Sequence, residues 1–266
     1  MKTKFLLAGC PAFFCLFFSA CSSCLPPPTP PDSCESVMHR LKQAEGKISQ
    51  PVCIVLCDFS ASMDDRSVHF VLDEAEKIYD AYYNKAFIKF YPITSASILP
   101  IFETLITTIT DSGKVEQSDA TALGRCLDSL KTTDRQALRT ALEKEAANRP
   151  NATYIIRSLQ SAIDAIHIAD PDQLNHNTIF ILSDMLESGT SRWDYINLET
   201  RMNEGVAKLE ALPDSADASI EKNIDIKIGF YTQRGKDREQ LQHFWDLAFP
   251  RLGYSKQVKL SSELAL

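Results

Sequence analysis

From residue 52 onward, short uncharged apolar runs alternate with longer amphipathic stretches. Val52-Cys53-Ile54-Val55-Leu56-Cys57 carries no charge and contains three Val or Ile residues. That pattern suits a central parallel strand covered on both faces. Asp64 to Tyr83 follows, with Phe70, Val71, Ala75, Ile78, Ala81 and Tyr82 at three- and four-residue spacing and acids between them, the signature of a helix. Phe87 to Ile93 reads as a second strand, and Ile98 to Ile109 holds a third. Thr132 to Asn148 is expected to be helical, with Asp134 as cap or first-turn acid, and Arg149-Pro150-Asn151-Ala152 breaks it.

Ile155 to Ile168 has the pattern of another amphipathic helix. Asn177 to Asp184 repeats the first motif, an apolar strand ending in a carboxylate. Leu198 to Leu212 is expected as a helix, Ile224 to Tyr231 as a strand, Arg238 to Phe249 as a helix, and Val258-Lys259-Leu260 as a short edge strand. Strands alternating with helices over some 200 residues predict an α/β fold, a doubly wound, mostly parallel sheet flanked by helices.

The first twenty residues do not fit that alternation. Lys2 and Lys4 precede an apolar stretch from Phe5 to Phe18, too short for a bilayer span and suited to a secretory signal. Phe18-Ser19-Ala20-Cys21 resembles a bacterial lipobox, which makes Cys21 the lipid-modified first residue of the mature chain. Leu7-Ala8-Gly9-Cys10 matches that consensus better by letter, but leaves about three apolar residues before it where a signal core needs roughly 7–15. Five prolines between Pro26 and Pro31 favour extended polyproline, a semi-rigid spacer. The expected organisation is therefore a lipoprotein signal at 1–20, a Pro-rich tether at 21–48 and one folded domain at 49–266. No Asp follows Cys21, which in a Gram-negative host implies the outer membrane, so the expected location is the bacterial cell envelope.

Charge narrows the partners. The chain carries −7, and loss of Lys2 and Lys4 with the signal leaves −9. Nucleic acid is excluded as a partner on that balance, because binding there rests on neutralising phosphates. Docking of the domain surface on anionic lipid is excluded likewise, leaving the anchor as the membrane contact. Of eight cysteines, Cys10 and Cys15 leave with the signal and Cys21 takes lipid. Cys53 and Cys57 lie about 13 Å apart along a strand and cannot bridge each other. A Cys24–Cys34 link is geometrically possible, and the pairing of Cys24, Cys34 and Cys126 stays open.

Candidate chemistry concentrates at the end of the first strand. Asp58, Ser60 and Ser62 fall there, where open α/β sheets bind ligands, and three oxygen side chains suit a hard cation. The pattern Asp58-x-Ser60-x-Ser62 after an apolar strand resembles the start of a von Willebrand factor type A (VWA) domain. Asn151 to Ile163 resembles that family's threonine segment, and Ile179 to Asp184 its fourth-strand aspartate. The resemblance spans roughly residues 50 to 260 and implies a Rossmann-like three-layer sandwich. It also implies a metal-ion-dependent adhesion site (MIDAS) formed by Asp58, Ser60, Ser62, Thr153 and Asp184. Such a site holds Mg²⁺ (or Mn²⁺), the serine and threonine hydroxyls ligating directly and the aspartates often acting through water. One position stays open for an acidic residue of a protein partner.

Two departures from the family pattern stand out. Met185 replaces the glycine that commonly follows the last aspartate, and the interval from Ser62 to Thr153 is long, as an insertion around Thr110 to Thr133 would make it. Enzymatic chemistry is not expected: no Gly-x-Ser-x-Gly elbow, His-Glu-x-x-His or phosphate-cradling glycine loop occurs, and the five histidines are scattered. Two other readings compete. One is a structural or assembly lipoprotein that uses the fold as a metal-free scaffold; the other is a metal-dependent hydrolase acting through Asp58. Residue by residue, Ser60, Ser62 and Asp184 could also merely cap helices.

Overall fold

The computed structural model describes residues 51–83, 85–93, 99–104, 117–170, 175–186, 190–191, 194–195, 223–231, 238–251, 260–261, 264 and 266. The expected signal, Cys21 and the tether lie outside the described residues, as does the helix expected at Leu198 to Leu212. Among the described residues no helix is long and apolar enough to cross a membrane.

Eight strands are described: β1 (Val52–Cys57), β2 (Phe87–Pro92), β3 (Phe102–Glu103), β4 (Asn177–Ser183), β5 (Thr190–Ser191), β6 (Asp194–Tyr195), β7 (Ile224–Phe230) and β8 (Leu260–Ser261). Four helices accompany them: α1 (Asp65–Tyr82), α2 (Gln117–Asn148), α3 (Ile155–Ala169) and α4 (Arg238–Arg251). Six strands make one sheet in the order β3-β2-β1-β4-β7-β8. Only β3 runs antiparallel. The expected α/β class and mostly parallel sheet are found. The pair β5–β6 forms a separate antiparallel ribbon that the alternation did not announce.

Alternate residues of β1 face opposite layers, as the two-residue period of a strand dictates. Val52, Ile54 and Leu56 share a core with Ile155, Leu159 and Ile163 of α3 and Phe244, Trp245 and Phe249 of α4. Cys53, Val55 and Cys57 share the other core with Val71, Ala75 and Ile78 of α1 and Leu138 and Leu142 of α2. Helices thus cover both faces of the central strand, which is why it tolerates no polar residue until Asp58. Cys53 and Cys57 are free and buried, and burial pushes both thiols up, so they behave as small apolar residues.

One expected helix is corrected. The helix expected at 132–148 begins at Gln117, so part of the stretch read as an insertion is helical, and Asp134 lies in its interior rather than at a cap. The Thr132 and Thr133 hydroxyls donate to the carbonyls of Asp128 and Ser129, four residues back. Such back-bonding satisfies side chains that otherwise compete with the helix, so the helix runs through the point where it was expected to start. The stretch from Ile98 to Ile109 does hold a strand, described at Phe102–Glu103, with Ile98 and residues 105–109 outside the described set. The edge strand expected at 258–260 is described as Leu260–Ser261, parallel to β7.

Cys126 on α2 is buried and disulfide-bonded, to a cysteine outside the described residues. Glu76 of α1 accepts bonds from Arg135 (2.9 Å) and Arg139 (2.9 Å) of α2, tying these two helices together.

Candidate functional site

Chain order reverses between β1 and β4: β1 is followed by β2 on one side, and β4 leads to β7 on the other. The crevice beyond the carboxyl ends of these two strands is the switch point at which open sheets bind ligands. Asp58 follows β1 and Asp184 follows β4, so both carboxylates sit there. The ladder continues one step past β1, with Asp58 N–H donating to the Leu182 carbonyl (2.9 Å). This bond sets Asp58 beside Ser183.

Asp58 is fully buried. Its Oδ1 accepts from Ser60 N–H (2.8 Å), which closes a tight turn, and its Oδ2 accepts from the Ser183 hydroxyl (2.6 Å). Burial raises the Asp58 carboxyl above the ordinary carboxylate range, against the lowering effect of the Ser183 and Ser60 bonds. These serine donors are neutral, so they offer the buried carboxylate dipoles rather than an opposing charge.

The hydroxyls connect the two strands. Ser60 Oγ lies 2.9 Å from Ser62 Oγ, and Ser62 Oγ donates to Asp184 Oδ2 (3.2 Å). Asp184 Oδ1 accepts from Leu186 N–H (3.1 Å) in a turn of its own. The reading in which Ser60 and Ser62 cap the next helix is overturned. Asp64 caps α1, accepting from Ser67 N–H (2.7 Å) and Ser67 Oγ (2.8 Å).

Thr153 stands two residues ahead of α3 and is buried. Its segment is docked on the Asp58–Met63 loop by the bond from Ala61 N–H to the Pro150 carbonyl (2.9 Å). Arg149 adds a bond from Nη1 to the Met63 carbonyl (3.2 Å) and an ion pair with Asp65. Arg149 itself has φ 30°, in the left-handed region, which ends α2 and turns the chain toward the site. Asp58, Ser60, Ser62 and Asp184 are therefore joined through hydrogen bonds, and the Thr153 segment is held against the same loop.

The backbone after β4 is unusual. Met185 has φ 62°, a conformation that costs a residue bearing a Cβ about 1–2 kcal/mol. Three contacts offset that cost. Met185 N–H donates to Ser183 Oγ (2.8 Å), the Trp245 indole N–H donates to the Met185 carbonyl (3.1 Å), and the Met185 side chain is fully buried in the α3–α4 core. Met185 thus takes a conformation that favours glycine and is held there by its neighbours.

Ser183 and Trp245 are the contributors that reading the sequence missed. A hydroxyl immediately before Asp184 in an otherwise apolar run is a signal for Ser183; no local signal marks Trp245, whose target lies 60 residues away.

The donor set is two carboxylates and three hydroxyls, with no thiolate or imidazole, which fits a hard divalent cation of the Mg²⁺ or Mn²⁺ kind. Among the described residues no cluster of three or more His, Cys, Asp or Glu is placed to hold a metal. A site built mainly from hydroxyls is of another kind. Neither protein-family models nor curated proteins give a match to this chain.

Proposed function

We propose that this chain is an envelope-anchored lipoprotein whose VWA-like domain binds Mg²⁺ (or Mn²⁺) and, through it, an acidic residue of a protein partner. The observation that carries the reading is the hydrogen-bonded line Ser60–Ser62–Asp184, which starts one turn from the buried Asp58 at the switch point of the sheet. A five-residue pattern read from three separated segments has its two carboxylates and two serines in one connected group.

Asp58, Ser60, Ser62, Thr153 and Asp184 would hold the ion. A bound divalent cation supplies a Lewis-acidic position for an anionic oxygen. The chain's own part is to offset the burial penalty on Asp58 with serine donors, to aim the hydroxyls, and to hold Asp184 from the neighbouring strand. The absence of a family-model match leaves the VWA assignment resting on this site, the sheet order and the helices on both faces. Anchoring through Cys21 rests on the lipobox resemblance and the proline tether.

A second reading is favoured by the same bonds. Ser60, Ser62 and Asp184 satisfy one another directly, so a metal-free scaffold is chemically self-consistent. Titration calorimetry of the full chain with Mg²⁺ and with Mn²⁺ separates the two. The adhesion-site reading expects a saturable heat that Asp58→Ala and Thr153→Ala abolish. No heat from the native chain would leave the metal-free scaffold as the surviving reading.

A further inference from the structure

We infer that Trp245 and Met185 are positioning residues for Asp184, setting the direction of its carboxylate and through it the cation affinity of the site. This rests on the cation reading given above. The argument begins with the two oxygens of Asp184. Oδ1 is engaged by Leu186 N–H at 3.1 Å, and Oδ2 meets Ser62 Oγ at 3.2 Å. The Leu186 bond closes over Met185, where the chain turns with φ 62°, and so ties the carboxylate that meets Ser62 to that turn.

A glycine makes that turn without help, and a methionine does not. Released from its contacts, Met185 relaxes toward the right-handed or extended region, and the Asp184 carboxylate swings with the peptide. Trp245 opposes this from the far side of the core. Its indole N–H holds the Met185 carbonyl at 3.1 Å, and its fully buried ring packs in the same apolar cluster as the Met185 side chain. Ser183 opposes it from the near side: its hydroxyl oxygen takes Met185 N–H at 2.8 Å while donating to Asp58 Oδ2 at 2.6 Å. The two carboxylates are thereby referenced to one hydroxyl, and Asp184 is also referenced to α4. A buried indole needs an acceptor for its N–H in any fold. Spending that bond on the carbonyl of a left-handed methionine next to Asp184 is what makes the contact more than core packing.

The test compares Mn²⁺ affinity, by calorimetry on the full chain, with urea stability measured without metal. Trp245→Phe is expected to weaken Mn²⁺ binding about 10-fold, the lower end of what outer supporting groups contribute to metal sites. Met185→Gly added to Trp245→Phe is expected to return affinity to within about 3-fold of native, because glycine holds the turn unaided, while stability falls further through the lost side chain. If Trp245→Phe does not fold, benzothienylalanine at position 245 keeps the ring's size and removes only the N–H. Native affinity in the variant lacking the N–H overturns the inference, as does a loss that the glycine does not restore. Failure of the native chain to bind either ion would instead bring down the cation reading and this inference with it.

Discussion

The Ser183 hydroxyl donates to Asp58 Oδ2 at 2.6 Å across 125 residues of sequence, joining the ends of two adjacent parallel strands inside the core. The donors that face this fully buried carboxylate, from Ser183 and Ser60, are neutral. The energetic consequence is a penalty on the ionised form. Asp58 has its folded pKa raised above the unfolded value of 3.8, so the folded state holds the proton more tightly. Its contribution to stability is present below that value and is lost as pH rises through the folded pKa. Without metal, Asp58→Asn should therefore flatten the decline of stability with rising pH above about pH 4. Urea midpoints across pH 4 to 8 in chelator check this; an unchanged slope would contradict it.

Glu76 works in the opposite sense. Burial raises its carboxyl, but bonds from Arg135 and Arg139 outweigh this and hold it below the usual range. A depressed folded pKa gives stability that is present above the unfolded value of 4.5 and lost as pH falls through the folded one. The side chain is 18% exposed, so the network is partly screened. Glu76→Gln should cost about 1 kcal/mol at neutral pH and nothing at pH 2, measured by urea unfolding at both. An equal cost at both pH values would show that packing, not charge, is lost.

Asn177 is the clasp at the other end of the sheet. Its Oδ1 accepts from Val52 N–H (2.8 Å) and its Nδ2 donates to Asp170 Oδ2 (3.0 Å), all buried. Asn177→Ala should cost about 2–3 kcal/mol, because the Val52 N–H at the start of β1 loses this acceptor in a dry setting. Denaturant unfolding measures it, and a cost below about 0.5 kcal/mol would refute the role. Cation affinity should not change, since the clasp lies at the opposite edge from Asp58.

The disulfide at Cys126 selects among the amino-terminal cysteines. Cys53 and Cys57 are free, which leaves Cys10, Cys15, Cys21, Cys24 and Cys34 as partners. On the proposed lipoprotein reading, loss of residues 1–20 and lipid on Cys21 would reduce these to Cys24 or Cys34. Peptide mapping of the unreduced chain should find Cys126 joined to one of those two, which would exclude a Cys24–Cys34 link. Reduction should then lower stability by about 2–4 kcal/mol. A free Cys126 thiol in the mature chain would refute the prediction.

Much of the fold was legible because the signals are local. The uncharged run at β1, the matching run at β4 and the three- and four-residue spacing in α1 and α3 each depend on neighbours within a few turns. Asp58, Ser60, Ser62, Thr153 and Asp184 were picked out for the same reason, each lying at the edge of such an element. Where the reading slipped, as at Thr132 and Thr133, the hydroxyls found partners one turn back inside a helix that was expected to start there.

By itself the sequence determined the elements, their class and the oxygen-bearing residues at strand ends, since hydrophobic periodicity and turn chemistry are written along the chain. Only the tertiary structure decided that β4 lies beside β1, that Ser62 meets Asp184, that Ser183 braces Asp58, and that Trp245 holds a left-handed Met185. These relationships span 60 to 125 residues, and no spacing rule encodes them. They follow from strand order and from which buried donor can reach which buried acceptor once the sheet is assembled.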